Sequence, residues 1–181
     1  QSAAFDALEY EQQDYWSRLS SVNATSGIVH PMVHLHPVTK RNSVWLHLGM
    51  TGAVIMKDPK ENLFRLLDPD ELKDLCHQYN NLLNAGFENG YSINYEYDTN
   101  DCLFIDNLAV AHRAAPEAHL PAGKQGLRIM HRSTIQAVNS LKPDFGLPIQ
   151  LDIYSPSPLG EGVWQPGGIG FRWDDEAPMQ N

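Results

Sequence analysis

Cysteine is scarce in this chain: Cys76 and Cys102 are the only two in 181 residues. They stand in neither Cys-x-x-Cys nor zinc-finger spacing, which argues against a thiolate metal site or a disulfide-stapled scaffold. Both are expected to be reduced, buried thiols, with a single bridge between them left open. Positive charge is also in deficit. Thirteen Lys and Arg face 22 Asp and Glu, giving a formal net charge of -9 and a pI near 5.2. A phosphate backbone usually requires a basic patch, so no nucleic-acid partner is expected. No apolar run reaches the roughly 18 residues that a bilayer span needs, and the start has no basic segment leading into an apolar one. Those absences predict a cytoplasmic location and no membrane partner, and leave the oligomeric state open. Internal repeats and a regular βαβ alternation are missing as well.

What is present is enough apolar material, 42% of residues, for one substantial core in one domain or part of one. Residues 3–19 place Ala4, Ala7, Leu8, Tyr15, Trp16 and Leu19 among polar residues at near-helical spacing, predicting a helix. Residues 20–27 read as a polar linker, and 28–36 as a strand in which His34 and His36 share a face. A turn at 37–42 and a returning strand at 43–48 complete a hairpin, and a short strand follows at 53–56. The strongest local signal is a helix from Pro69 to about Ala85. Asp68 is its N-cap, Pro69 its first residue and Glu71 the partner of a capping box. Leu72, Leu75, Cys76, Tyr79, Leu82 and Leu83 form its apolar stripe, and Gly86 is placed to end it in a left-handed conformation. A second hairpin is predicted from 92–97 and 102–105 around Asp98-Thr99-Asn100-Asp101, and a further strand over 127–135. From residue 137 onward Pro and Gly accumulate, as in Gln165-Pro166-Gly167-Gly168, predicting a C-terminal arm (137–181) wrapped on the domain formed by 1–136. This order gives a mainly β fold with flanking helices.

Two stretches carry candidate chemistry. His112 ends the apolar run Leu108-Ala109-Val110-Ala111, where an imidazole can leave a sheet to meet a metal. Alternation along 127–135 puts Arg128 and Arg132 on one face, about 13 Å apart at about 3.3 Å per residue, suited to two anionic groups. By pattern alone the ordinary alternatives stay open: a lone histidine there is more often a polar strand end, and the arginines fit a solvated face as well.

Taken in order, Asp106-Asn107, His112 and Arg128-Ile129-Met130-His131-Arg132 resemble the C-terminal signature of the taurine dioxygenase (TauD/TfdA) family of Fe(II)/2-oxoglutarate oxygenases. Asn100-Asp101 stands where that family has a Gly-Asp turn, and Ile105-Asp106-Asn107-Leu108 where it has Trp-Asp-Asn-Arg. Upstream, His30-Pro31-Met32-Val33-His34-Leu35-His36-Pro37-Val38-Thr39 is similar to the family's His-Pro-Val-Val-x-x-His-Pro-x-Thr segment. The resemblance covers about residues 1–136. It implies a double-stranded β-helix, or jelly roll, holding Fe(II) on two His and one carboxylate with positions left for 2-oxoglutarate and O₂. It further implies that His112 is the distal metal ligand, that Arg128 pairs with the distal carboxylate of 2-oxoglutarate, and that Arg132 lies near an anionic group of a small-molecule substrate. Arginine suits such roles because its planar guanidinium takes a carboxylate through two parallel hydrogen bonds.

One motif of the family is missing. None of the eight histidines is followed two residues later by Asp or Glu, so the His-x-Asp/Glu pair that would supply the other ligands is absent. The expectation is a jelly roll incomplete at its N-terminus, a fragment of an oxygenase that is inactive by itself. The rival is a non-catalytic jelly-roll binding or assembly module, or a pseudoenzyme. A cupin-type metal protein using His34 and His36 is a third reading, weakened by Val38, Thr39, Lys40 and Arg41 where that pattern wants a Glu.

Overall fold

The computed structural model describes residues 1–24, 27–58, 64–115, 121–125 and 130–135. The predicted C-terminal arm, Arg128 and residues 116–120, 126 and 127 of the loop after His112 lie outside the described residues.

The predicted N-terminal helix is two helices, α1 (Ser2–Asp6) and α2 (Tyr10–Ser17). The chain breaks between them so that Ala4, Phe5 and Leu8 can join Trp16 in the core. Gln13 bridges the break, its Nε2 donating to the carbonyls of Phe5 (3.2 Å), which also accepts from the Leu8 amide (3.1 Å), and of Leu8 (2.9 Å). The predicted polar linker is in fact a strand, β1 (Leu19–Asn23). It is also an interior strand of the antiparallel sheet β2-β1-β5-β6, whose other members are β2 (Val29–Pro31), β5 (Thr51–Lys57) and β6 (Phe64–Leu66). Ser20 and Ser21 are small enough to be buried there, between partners on both sides.

Pairing of Leu19 with Met56 and of Ser20 with Ile55 sorts the sheet into two faces. Leu19, Val54 and Met56 meet α1, α2 and the long helix α3 (Pro69–Asn84), in a core with Trp16, Leu72, Leu75, Cys76 and Tyr79. Val22, Val29, Ala53, Ile55 and Leu66 form a smaller cluster on the other face. Between Val22 and Asn23 the register slips, leaving Gly52 of β5 as the extra residue of a bulge.

The strand expected over 28–36 is interrupted at Met32. Its first part, β2, is a sheet edge, where Pro31 lacks no ladder donor that matters. Its second part, β3 (Val33–Leu35), pairs with β4 (Asn42–Val44) in a separate hairpin, in the register His34 opposite Ser43. That hairpin was expected, although β4 is shorter than 43–48.

Helix α3 starts as its sequence predicts: Asp68 Oδ1 accepts from the Glu71 amide and Glu71 Oε2 from the Asp68 amide, both at 2.9 Å. Its end differs. Ala85 is right-handed, and the left-handed glycine is Gly90, with φ of 75°. Gly86 is needed for space instead, since a Cβ there would stand 2.1 Å from Ser92 Oγ and 2.9 Å from the Leu83 carbonyl oxygen.

Residues 92–97, 102–105 and 130–135 form no ladder, so the second hairpin and the described part of the last strand, 130–135, are corrected to largely exposed chain without strand pairing, while 127–129 lie outside the described residues. Strand propensity expresses itself through packing and pairing, and among the described residues these runs have no partner strand. The turn between them does form: Asn100 has φ of 74°, and Asp101 Oδ2 accepts from the Tyr95 hydroxyl (2.8 Å) and the Asp98 amide (2.9 Å). A four-residue helix, α4 (Ala122–Gln125), follows the His112 segment. Cys76 is buried, its thiol pushed up to about 12 by burial, but Cys102 is exposed, contrary to expectation. Both thiols are free. The described chain is thus β-rich with a few helices.

Candidate active site

The site begins at the β3–β4 hairpin. His34 lies on β3 and His36 just beyond it, both buried and both directed at residues 106–108. The turn after β3 fixes the second ring. His36 Nδ1 accepts from the amides of Val38 (3.2 Å) and Thr39 (3.1 Å), while the Lys40 amide returns to the His36 carbonyl (3.0 Å). A ring nitrogen that accepts two N–H groups carries no hydrogen, so the hydrogen sits on Nε2. Nε2 therefore donates to Asp106 Oδ2 at 2.9 Å, and the contact is a hydrogen bond to a carboxylate rather than a pair of full charges.

Asp106 uses its other oxygen, Oδ1, to accept from the Leu108 amide at 2.9 Å, closing a small side-chain turn. Its main-chain carbonyl accepts from the amides of Ala109 and Val110, each at 3.0 Å. The His36 hydrogen bond first, then the Leu108 amide, hold its carboxyl below the usual range. His34 adds a second tie, Nε2 donating to the Leu108 carbonyl at 3.0 Å. Burial lowers the His34 imidazole below its ordinary value, with the Leu108 bond opposing in part, and His30 is lowered by burial and by His34.

Beyond this turn the chain runs through Val110 and Ala111 to His112, which is exposed. Arg113 then reaches α3, its Nη2 donating to Asn84 Oδ1 at 2.9 Å. Arg132 is exposed. The structure therefore brings together His34, His36, Asp106 and Leu108, a grouping that the sequence reading did not foresee. The available signal was the shape of His36-Pro37-Val38-Thr39, a turn whose backbone donors fall on the ring of its own histidine. The cupin-type reading fares badly here, because both ring nitrogens of His36 and Nε2 of His34 are engaged by the polypeptide.

The family model described as "Taurine catabolism dioxygenase TauD, TfdA family" matches residues 1–134. The chain belongs to this family. Comparison with curated proteins and with solved structures gave no match. TauD/TfdA proteins are in general Fe(II)/2-oxoglutarate dioxygenases, which makes dioxygenase the enzyme class of the family, and the β-rich architecture is compatible with it. The match runs through His112, Arg128 and Arg132. The described side chains do not, by themselves, fit the iron: among them no group of three or more His, Cys, Asp or Glu is placed to hold a metal ion, the His34, His36 and Asp106 cluster being spent on its own hydrogen bonds. A 2-His-1-carboxylate site requires such a group.

Proposed function

We propose that this chain supplies one side of the active site of a cytoplasmic Fe(II)/2-oxoglutarate dioxygenase that hydroxylates or desaturates a small molecule, with the double-stranded β-helix of its family. In this reading His112 offers one imidazole to the metal, Arg128 holds the distal carboxylate of 2-oxoglutarate, and Arg132 meets an anionic group on the substrate. The family match over residues 1–134, which includes all three, is the observation that carries it. The exposure of His112, at the end of a turn anchored by two buried histidines, supports it, because a ligand must present its ring outward from a fixed backbone. The remaining metal ligands are not supplied by a His-x-Asp/Glu pair in these 181 residues. One imidazole holds iron weakly, so the chain alone is expected to show no turnover.

Thermal-shift measurements on the full-length product, with 2-oxoglutarate and a redox-inert divalent metal such as Mn(II) under anaerobic conditions, test the reading. The expected result is a rise in Tm that needs both ligands and disappears in Arg128→Ala and His112→Ala. No response in the unsubstituted protein would instead favour a non-catalytic binding module.

A further inference from the structure

The segment that carries His112 is not held by a strand ladder; residues 106–113 have no assigned strand. Side-chain hydrogen bonds hold it at its two ends, and between them the terminal ammonium of Gln1 donates to the Ala109 carbonyl at 3.0 Å. At its start, Asp106 is committed through both carboxylate oxygens, to His36 Nε2 and to the Leu108 amide. Leu108 is committed through its amide to Asp106 and through its carbonyl to His34. The Asp106 carbonyl closes the turn on Ala109 and Val110, which fixes the direction in which the chain leaves. At its far end, Arg113 is tied to Asn84, the last residue of α3. His112 lies between these ties.

We infer that His36 is a positioning residue: its bond to Asp106 latches the 106–113 segment to the β3–β4 hairpin and thereby sets where His112 stands. The role of His112 rests on the proposed function, whereas the latch rests only on this chain's own hydrogen bonds. His36 suits the task because its donor is locked in place. The Val38 and Thr39 amides hold Nδ1 as an acceptor, so Nε2 presents its hydrogen to Asp106 in one tautomer only. Asp106→Asn is therefore a sharp perturbation. The amide can keep its oxygen toward Leu108, but its NH₂ then faces the Nε2 hydrogen, donor against donor. Moving the ring hydrogen to Nδ1 gives no relief, since two backbone N–H groups already point there.

The test uses the full chain labelled with ¹⁵N-histidine. In the wild type, NMR should show His36 as the Nε2–H tautomer; finding the hydrogen on Nδ1 overturns the latch. In Asp106→Asn, amide exchange at residues 108–110 should speed by about tenfold, the loss of one hydrogen bond to a charged group, and the ring signals of His112 should shift. Asp68→Ala, which loosens α3 at its other end, is the control and should do neither when compared at equal global stability. Unchanged exchange at 108–110 in Asp106→Asn, or equal changes in the control, overturns the inference. If Asp106→Asn does not fold, the wild-type tautomer decides alone. A His112→Ala protein that keeps metal and 2-oxoglutarate binding would refute the proposed function and leave the latch standing.

Discussion

His34 ties the hairpin to residue 108 and makes stability depend on pH. Burial lowers its folded pKa below the ordinary 6.5, and His30 beside it is lowered in the same direction. Between the lowered value and 6.5, the unfolded chain binds a proton that the folded chain refuses. Stability is therefore complete above about pH 6.5 and declines as the pH falls through that window. Asp106 acts elsewhere: its depressed pKa contributes stability that persists above the ordinary carboxylate value of 3.8 and is lost only as the pH drops through the lowered value. Urea midpoints at pH 7.5 and 5.5 should thus show a less stable protein at 5.5, with a smaller difference in His34→Gln. Glutamine can still donate to the Leu108 carbonyl but does not titrate. The part of the slope due to His30 should remain. An unaltered slope in His34→Gln would show that His34 is not the sensor.

At the scale of elements, α3 carries its own start signal. Asp68 and Glu71 satisfy each other's amides, and Glu71 also takes both terminal nitrogens of Arg65 at 2.6 Å, joining the helix to β6. The Arg65 hydrogen bonds lower the Glu71 carboxyl, although both partners are too exposed for the pair itself to weigh heavily. Asp68→Ala should lower unfolding free energy by about 1 kcal/mol, and Asp68→Asn by only a few tenths, measured by urea denaturation. Equal losses would mean that charge at the helix start, rather than the cap, matters. This helix was legible because its determinants are neighbours in sequence: cap, proline, capping partner and a stripe at helical spacing. β1 was not, because Ser20 and Ser21 lack the apolar alternation that announces a strand and are held by partners on both sides. The break between α1 and α2 depends on Gln13 reaching back to Phe5 and Leu8, which periodicity cannot show. The candidate site divides in the same way. The ordered motifs pointed to Asp106, His112 and the arginines, but the bond that anchors the Asp106 turn joins it to His36, 70 positions away. Only the fold could reveal that pairing.

Across the described residues, burial is concentrated before residue 84, where Trp16, Leu72, Leu75 and Tyr79 are almost wholly enclosed. The run 92–105 has the composition of a paired strand and the exposure of an unpaired one. Ile93 and Phe104 are 83% and 89% exposed, while Leu103 at 42% and Ile105 at 38% show that both faces of the second half are open to solvent. A strand in a two-sheet sandwich would hide one face. Substitutions on the two sides of this divide should therefore differ sharply. Leu72→Ala opens a cavity between α3 and the sheet and should cost about 2–5 kcal/mol. Phe104→Ser removes almost no buried surface and should stay within about 0.5 kcal/mol of wild type. Urea denaturation of both variants, read by tryptophan fluorescence, separates the cases. A Phe104→Ser loss as large as that of Leu72→Ala would show that residues 102–105 are covered in solution, as the proposed jelly roll requires of its strands.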